Sequence, residues 1–237
     1  MSRLVTRTAY RAHRTIRGPR AGAWVRRALA ALACVAGLWS ALAWGWDKDR
    51  LTESAARLSP RTQASVKAMI QMADRAAAMP DERDRLTAVN NFFNQRVAFR
   101  DDIDVWGQID YWATPLELLD KGAGDCEDYA IAKYMSLQSA GVPQSKLRMV
   151  YVRAQFQGRP QAHMVLAYYA QPESEPLILD NINPEIRPAS LRPDLTPVFS
   201  FNGEGLWSGV GGTTAGNPLV RLSLWRDLLA KAKAEGF

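Results

Sequence analysis

Beyond residue 43 the chain holds one cysteine, Cys126 in Gly124-Asp-Cys-Glu-Asp-Tyr-Ala130, and one histidine, His163 in Gln161-Ala-His-Met-Val165. An aspartate, Asp180, closes the next strand-like run. In that order a thiol, an imidazole and a carboxylate are the parts of an acyl-transfer enzyme. The thiol attacks, the imidazole moves its proton, and the acid fixes the ring's tautomer. Taken singly, each has an ordinary explanation: a buried small hydrophobe, a structural strand histidine, a turn residue. Their coincidence, with no other cysteine or histidine past residue 43, favours catalysis.

The neighbours of Cys126 complicate that chemistry. A thiol at a helix start gains from the macrodipole and from free backbone N–H groups, which also suit an oxyanion. Yet Asp125 and Glu127 flank it and Asp128 follows, and carboxylates oppose a thiolate. On the residues alone two explanations stay open. The acids are caps and dipole partners, or they hold a divalent cation. An all-oxygen set suits calcium better than zinc, and Asp110, a backbone carbonyl or waters would have to complete calcium's larger shell. There is no EF-hand spacing and no CxxC pair.

The elements that must position these groups are legible in outline. Ser59-Pro60 opens a helix over 60–79, with Val66, Met69, Ile70, Ala73 and Ala77 at helical spacing. Pro80 breaks it, and a second helix over 81–96 carries Leu86, Val89, Asn90 and Phe93 on one stripe before a short strand at 97–99. Residues 101–124, rich in Asp, Gly and aromatics, read as a functional loop with a helical turn at 115–119. Asp125 caps a helix over 126–139, ended by Ala140-Gly-Val-Pro143. Strands follow at 147–153, 162–169 and 176–180, joined by short turns as an antiparallel meander. Residues 181–217 read as loop, and a last amphipathic helix over 218–234 faces the core with Leu222, Trp225, Leu228 and Leu229. A nucleophile helix packed on an antiparallel sheet that carries the base is an α+β layout in one domain, 44–237.

Residues 1–43 stand apart. They hold eight of the chain's 30 basic residues and none of its 24 acidic ones, then an apolar run over 28–43 ending in Ala41-Leu-Ala43. Basic region, apolar core and small-residue exit describe a cleavable secretory signal. The alternative is an uncleaved inner-membrane anchor extended by Trp44 and Trp46. Without the leader the 22 remaining basic residues are outnumbered, so the basic stripe that nucleic-acid binding requires is missing. A lone cysteine in an oxidising compartment forms no internal disulfide and invites a reactive role.

The blocks Asp110-Tyr-Trp-Ala-Thr-Pro-Leu-Glu117, Gly124-Asp-Cys-Glu-Asp-Tyr-Ala-Ile-Ala-Lys133, His163-Met-Val-Leu166 and Leu179-Asp-Asn181 resemble the bacterial transglutaminase-like cysteine proteinases of the LapG type. Asn90-Asn-Phe-Phe-Asn94 and Phe201-Asn-Gly-Glu-Gly-Leu-Trp207 fit as well. The resemblance implies a papain-like fold of the transglutaminase branch and a periplasmic endopeptidase with Cys126 as nucleophile, His163 as base and Asp180 as orienter. It also implies calcium dependence through Asp125 and Glu127. The implied substrate is the N-terminal region of a large surface adhesin, often at a paired-alanine site, whose release disperses biofilm. The implied inhibitory partner is the periplasmic domain of a membrane cyclic-di-GMP receptor. Other readings are a transglutaminase or peptidoglycan peptidase sharing the acyl-enzyme step, and a non-catalytic binding module. Trp106, Trp112 and Trp207 are candidates for a groove or docking surface as much as for core anchors.

Overall fold

The computed structural model describes residues 45–212 and 214–237, and the expected leader lies outside them. Three helices come first: α1 (Lys48–Leu58), α2 (Pro60–Ala77) and α3 (Glu82–Arg96). Each opens on a side-chain cap, Asp47 for α1, Ser59 for α2 and Asp81 for α3, whose oxygen accepts from a first-turn N–H. The expected stripes of α2 and α3 face inward, except that Ala76 and not Ala77 is buried. Helix α1 was not expected from the sequence; its apolar positions are few, and it is held by packing on α2.

The stretch expected to be loop contains more order. After β1 (Ala98–Phe99) come α4 (Asp102–Trp106), α5 (Pro115–Lys121) and β2 (Ala123–Gly124), which pairs in parallel with β1. Helix α5 starts on a capping box in which Thr114 and Glu117 satisfy each other's backbone N–H, so the Thr-Pro-Leu-Glu sequence is a helix start.

Helix α6 (Cys126–Ser139) has the bounds that the sequence predicted. From Asp128 to Leu137 every residue is buried, and a helix enclosed on all sides shows no amphipathic stripe. It packs on α3 and on the sheet.

The sheet contains β3 (Leu147–Phe156), β4 (Arg159–Tyr168), β5 (Leu177–Leu179), β6 (Arg187–Pro188), β7 (Leu195–Phe201), β8 (Leu206–Ser208) and β9 (Thr214–Gly216). Their order is β6-β5-β4-β3-β7-β8-β9, with all neighbours antiparallel. The β3-β4-β5 meander is as expected. Strands β7 to β9 correct the loop reading of 181–217: β7 pairs with β3 across a long sequence gap, and a register shift at Tyr151/Val152 accommodates Pro197, which has no N–H to give. The last helix is two pieces, α7 (Pro218–Arg221) and α8 (Ser223–Glu235), broken at Leu222; Trp225 and Leu228 are buried, and Leu222 and Leu229 only partly.

The ends of the domain meet. Trp46 is buried edge-on against Phe237, and the Asp47 N–H donates to the Gly236 carbonyl at 2.8 Å. No helix among the described residues is long and apolar enough to cross a membrane.

Candidate active site and acidic cluster

Cys126 is the first residue of α6, and the segment before it is built around one glycine. A Cβ on Gly124 would lie 2.4 Å from Asp128 Oδ2 and 2.6 Å from Leu118 Cδ1. The missing side chain is the space into which Asp128 folds back. There its Oδ2 accepts from the Asp125 N–H at 3.3 Å and its Oδ1 from the Ala113 N–H at 2.8 Å.

His163 is the first buried residue of β4, whose preceding four residues are exposed, so it sits where the strand passes under the rest of the protein. Strand β5 runs antiparallel to β4 with Leu179 opposite Leu166, which aims Asp180 back toward His163. The Asp180 Oδ1 lies 2.9 Å from His163 Nε2, with both side chains buried. That engagement leaves Nδ1 as the ring nitrogen able to exchange a proton with a thiol.

Asp180 is gripped from several sides. Its Oδ1 also accepts from the Ile182 N–H at 3.0 Å, and its Oδ2 takes the buried Arg192 Nη2 at 2.7 Å. Burial opposes ionisation, but the bonds from His163 and Arg192 outweigh it and hold the carboxyl well below the usual carboxylate range. Two donors meet at its backbone carbonyl: Asn94 Nδ2 at 2.8 Å and Lys133 Nζ at 3.1 Å. One turn earlier on α3, Asn90 Nδ2 donates to the Pro184 carbonyl at 2.8 Å, so the first and last asparagines of the Asn90-Asn-Phe-Phe-Asn94 block pin the loop that carries Asp180.

Cys126 and His163 line one cavity of about 530 Å³. Its walls include Asp110, Trp112, Asp125, Glu127, Tyr151, Phe199 and Arg221. Tyr151 stacks on Phe199 at 5.2 Å and Trp112 on Phe201 at 5.7 Å. Of the three tryptophans weighed from the sequence, Trp112 is the one at this cavity. Trp106 packs on Tyr111, and Trp207 lies under Arg148. The thiol donates to Glu127 Oε2 at 3.1 Å. Burial first, then the charges of Glu127 and Asp125, push the thiol well above its ordinary pKa.

The expected acids gather beside it, joined by one that the sequence reading passed over. Asp102, the buried first residue of α4, has ligand-capable atoms within 4.8 Å of those of Asp110 and Glu127 in one set, and of Asp125 and Asp128 in another. Burial drives the pKa of Asp102, Asp125, Glu127 and Asp128 upward, and like-charge neighbours add to it; Asp125 reaches about 9. The Oδ1 atoms of Asp102 and Asp125 are buried without a hydrogen-bond partner. Orphaned carboxylate oxygens in a crowded acidic cluster fit a hard divalent cation. Asp102, Asp125 and Glu127, with Asp110 and Asp128 in reach, are the residues that would hold it, and a bound cation would remove the charge that opposes the thiolate.

The loop that brings Asp110 and Trp112 to the cavity is tied down by a residue far along the chain. Lys231 on α8 donates to Glu117 Oε2 at 2.8 Å, to Tyr111 Oη at 2.9 Å and to the Trp112 carbonyl at 3.0 Å.

A helix bearing a thiol at its first residue, packed on an antiparallel sheet with a His–Asp pair at the same cavity, defines a transglutaminase-like cysteine proteinase fold. Residues 57–193 match the family model of the bacterial transglutaminase-like cysteine proteinases, and the chain belongs to that family. Among solved structures it is similar to Legionella pneumophila LapG. The EGTA-treated form is 38% identical with a TM-score of 0.69, covering 78% of this chain and 97% of that one. The calcium-bound form is 39% identical with a TM-score of 0.67, covering 78% and 98%. No curated protein sequence gives a significant match.

Proposed function

We propose that this protein is a calcium-dependent periplasmic cysteine endopeptidase that cuts the N-terminal region of a large surface adhesin, releasing it and dispersing biofilm. The observation that carries the catalytic part is the shared cavity: Cys126 and His163 line it, and His163 is bonded to a buried, ionised Asp180. In this reading Cys126 Sγ attacks the scissile carbonyl while His163 Nδ1 takes the thiol proton. The imidazolium is stabilised by Asp180 and returns its proton to the leaving amine, and water then releases the acyl group by the reverse relay. Trp112, Tyr151 and Phe199 supply apolar walls to the cavity in which the acyl-enzyme forms.

Calcium is supported by the acid cluster with its orphaned oxygens and by the calcium-bound and EGTA-treated forms of the Legionella protein. Export rests on the leader's basic and apolar blocks. The adhesin substrate and an inhibitory cyclic-di-GMP receptor rest on the motif resemblance. The test is Cys126→Ala, with folding checked by circular dichroism. Wild type with calcium should cleave an adhesin N-terminal fragment and the variant should not; retained cleavage by the variant overturns the mechanism.

A further inference from the structure

Lys133 is 1% exposed, and among the described residues no carboxylate lies within ion-pair distance of its ammonium. It meets only the Asp180 carbonyl and, at 5.6 Å, the face of Tyr129. Burying an ammonium with no direct ion pair costs stability, and burial, only partly offset by the charge of Asp180, holds the Lys133 pKa down at about 7. Nothing structural requires that cost, because Asn94 already satisfies the same carbonyl at the shorter distance of 2.8 Å. What Lys133 adds is connection. It lies on α6 seven residues after Cys126, two helical turns along the same face. Asn94 reaches the carbonyl from α3, so the two donors approach from different helices.

We infer that Lys133 is a positioning residue: it ties the nucleophile helix to the backbone of Asp180 and so sets the His163–Asp180 pair in register with Cys126. The inference rests on the proteinase reading for its kinetic consequence but not for its geometric one. Because the strut runs from α6 itself, it couples the position of Asp180, and of the ring bonded to it, to the helix that carries Cys126.

The test compares full-length wild type and Lys133→Met with calcium present. Methionine fills similar space without the charge, so the melting temperature should stay level or rise. Turnover of an internally quenched peptide containing an Ala-Ala bond should fall by ~10- to ~100-fold with KM little changed, the size expected of a small misplacement at a catalytic group. The hydrogen-bonded Nε2–H resonance of His163, read in protein carrying nitrogen-15 histidine, should move upfield. A folded variant with unchanged turnover and an unmoved His163 resonance overturns the inference, as does a loss confined to KM or to the melting temperature. Lys133→Gln is read against the same outcomes if the methionine variant does not fold. Should wild type cleave no peptide, the proteinase reading is what fails, and the His163 resonance still decides whether Lys133 positions the pair.

Discussion

Asp180 is used at each of its three oxygens. Its two carboxylate oxygens serve His163, Ile182 and Arg192, and its carbonyl serves Asn94 and Lys133. Asp180→Asn should therefore lower turnover on the order of 10⁴-fold, the cost of a wrong imidazole tautomer. Arg192 keeps Asp194 at 2.7 Å, so the variant should remain folded by circular dichroism; an unfolded variant would make Asp180 structural. Cys126, His163 and Asp180 were readable because cysteine and histidine are scarce here and their order is chemical. Asp102, Arg192, Asn94, Lys133 and Lys231 were not. Charged and amide residues are common on any surface, and only tertiary packing decides which of them are buried.

Elements held by local signals were the readable ones. The caps at Ser59 and Asp81 and the Gly-Val-Pro stop after α6 mark ends that neighbouring residues decide. Strand β7 exists because β3 is there to pair with it, and Pro197 disguises it in the sequence. Helix α4 is too short for a periodic pattern, and the extended backbone of Leu222, which splits the last helix, has no local signal in the sequence. The link from α8 to the 107–114 loop is likewise long-range, and it has a measurable consequence. Lys231→Met should leave the fold intact but weaken calcium binding by ~10- to ~100-fold, as loss of an outer support does at metal sites. Titration calorimetry with calcium checks this, and unchanged affinity would show that the loop is held well enough by the Asp102–Tyr111 and Thr114–Glu117 bonds.

At the scale of the whole molecule, the acid cluster gathers α4, the loop after it and the start of α6 into one place. A cation there binds the folded state and not the open chain. Calcium at ~100 times its Kd should raise the melting temperature by about 5–10 °C. EGTA should reverse the rise and abolish cleavage together, and a melting temperature indifferent to EGTA would return Asp125 and Asp128 to a capping role. Membership of the family was legible in motifs spread along the domain, because these blocks hold the site: the capping box of α5, the Gly124 space for Asp128, and the asparagines behind Asp180.

The meeting of Trp46 with Phe237 makes the two ends of the described domain depend on each other. Trp46, just before α1, packs edge-on against Phe237, just after α8, and the Asp47 N–H donates to the Gly236 carbonyl beside them. The described domain is thus closed like a clasp at residues 46 and 237, and truncation at either end takes support from the other.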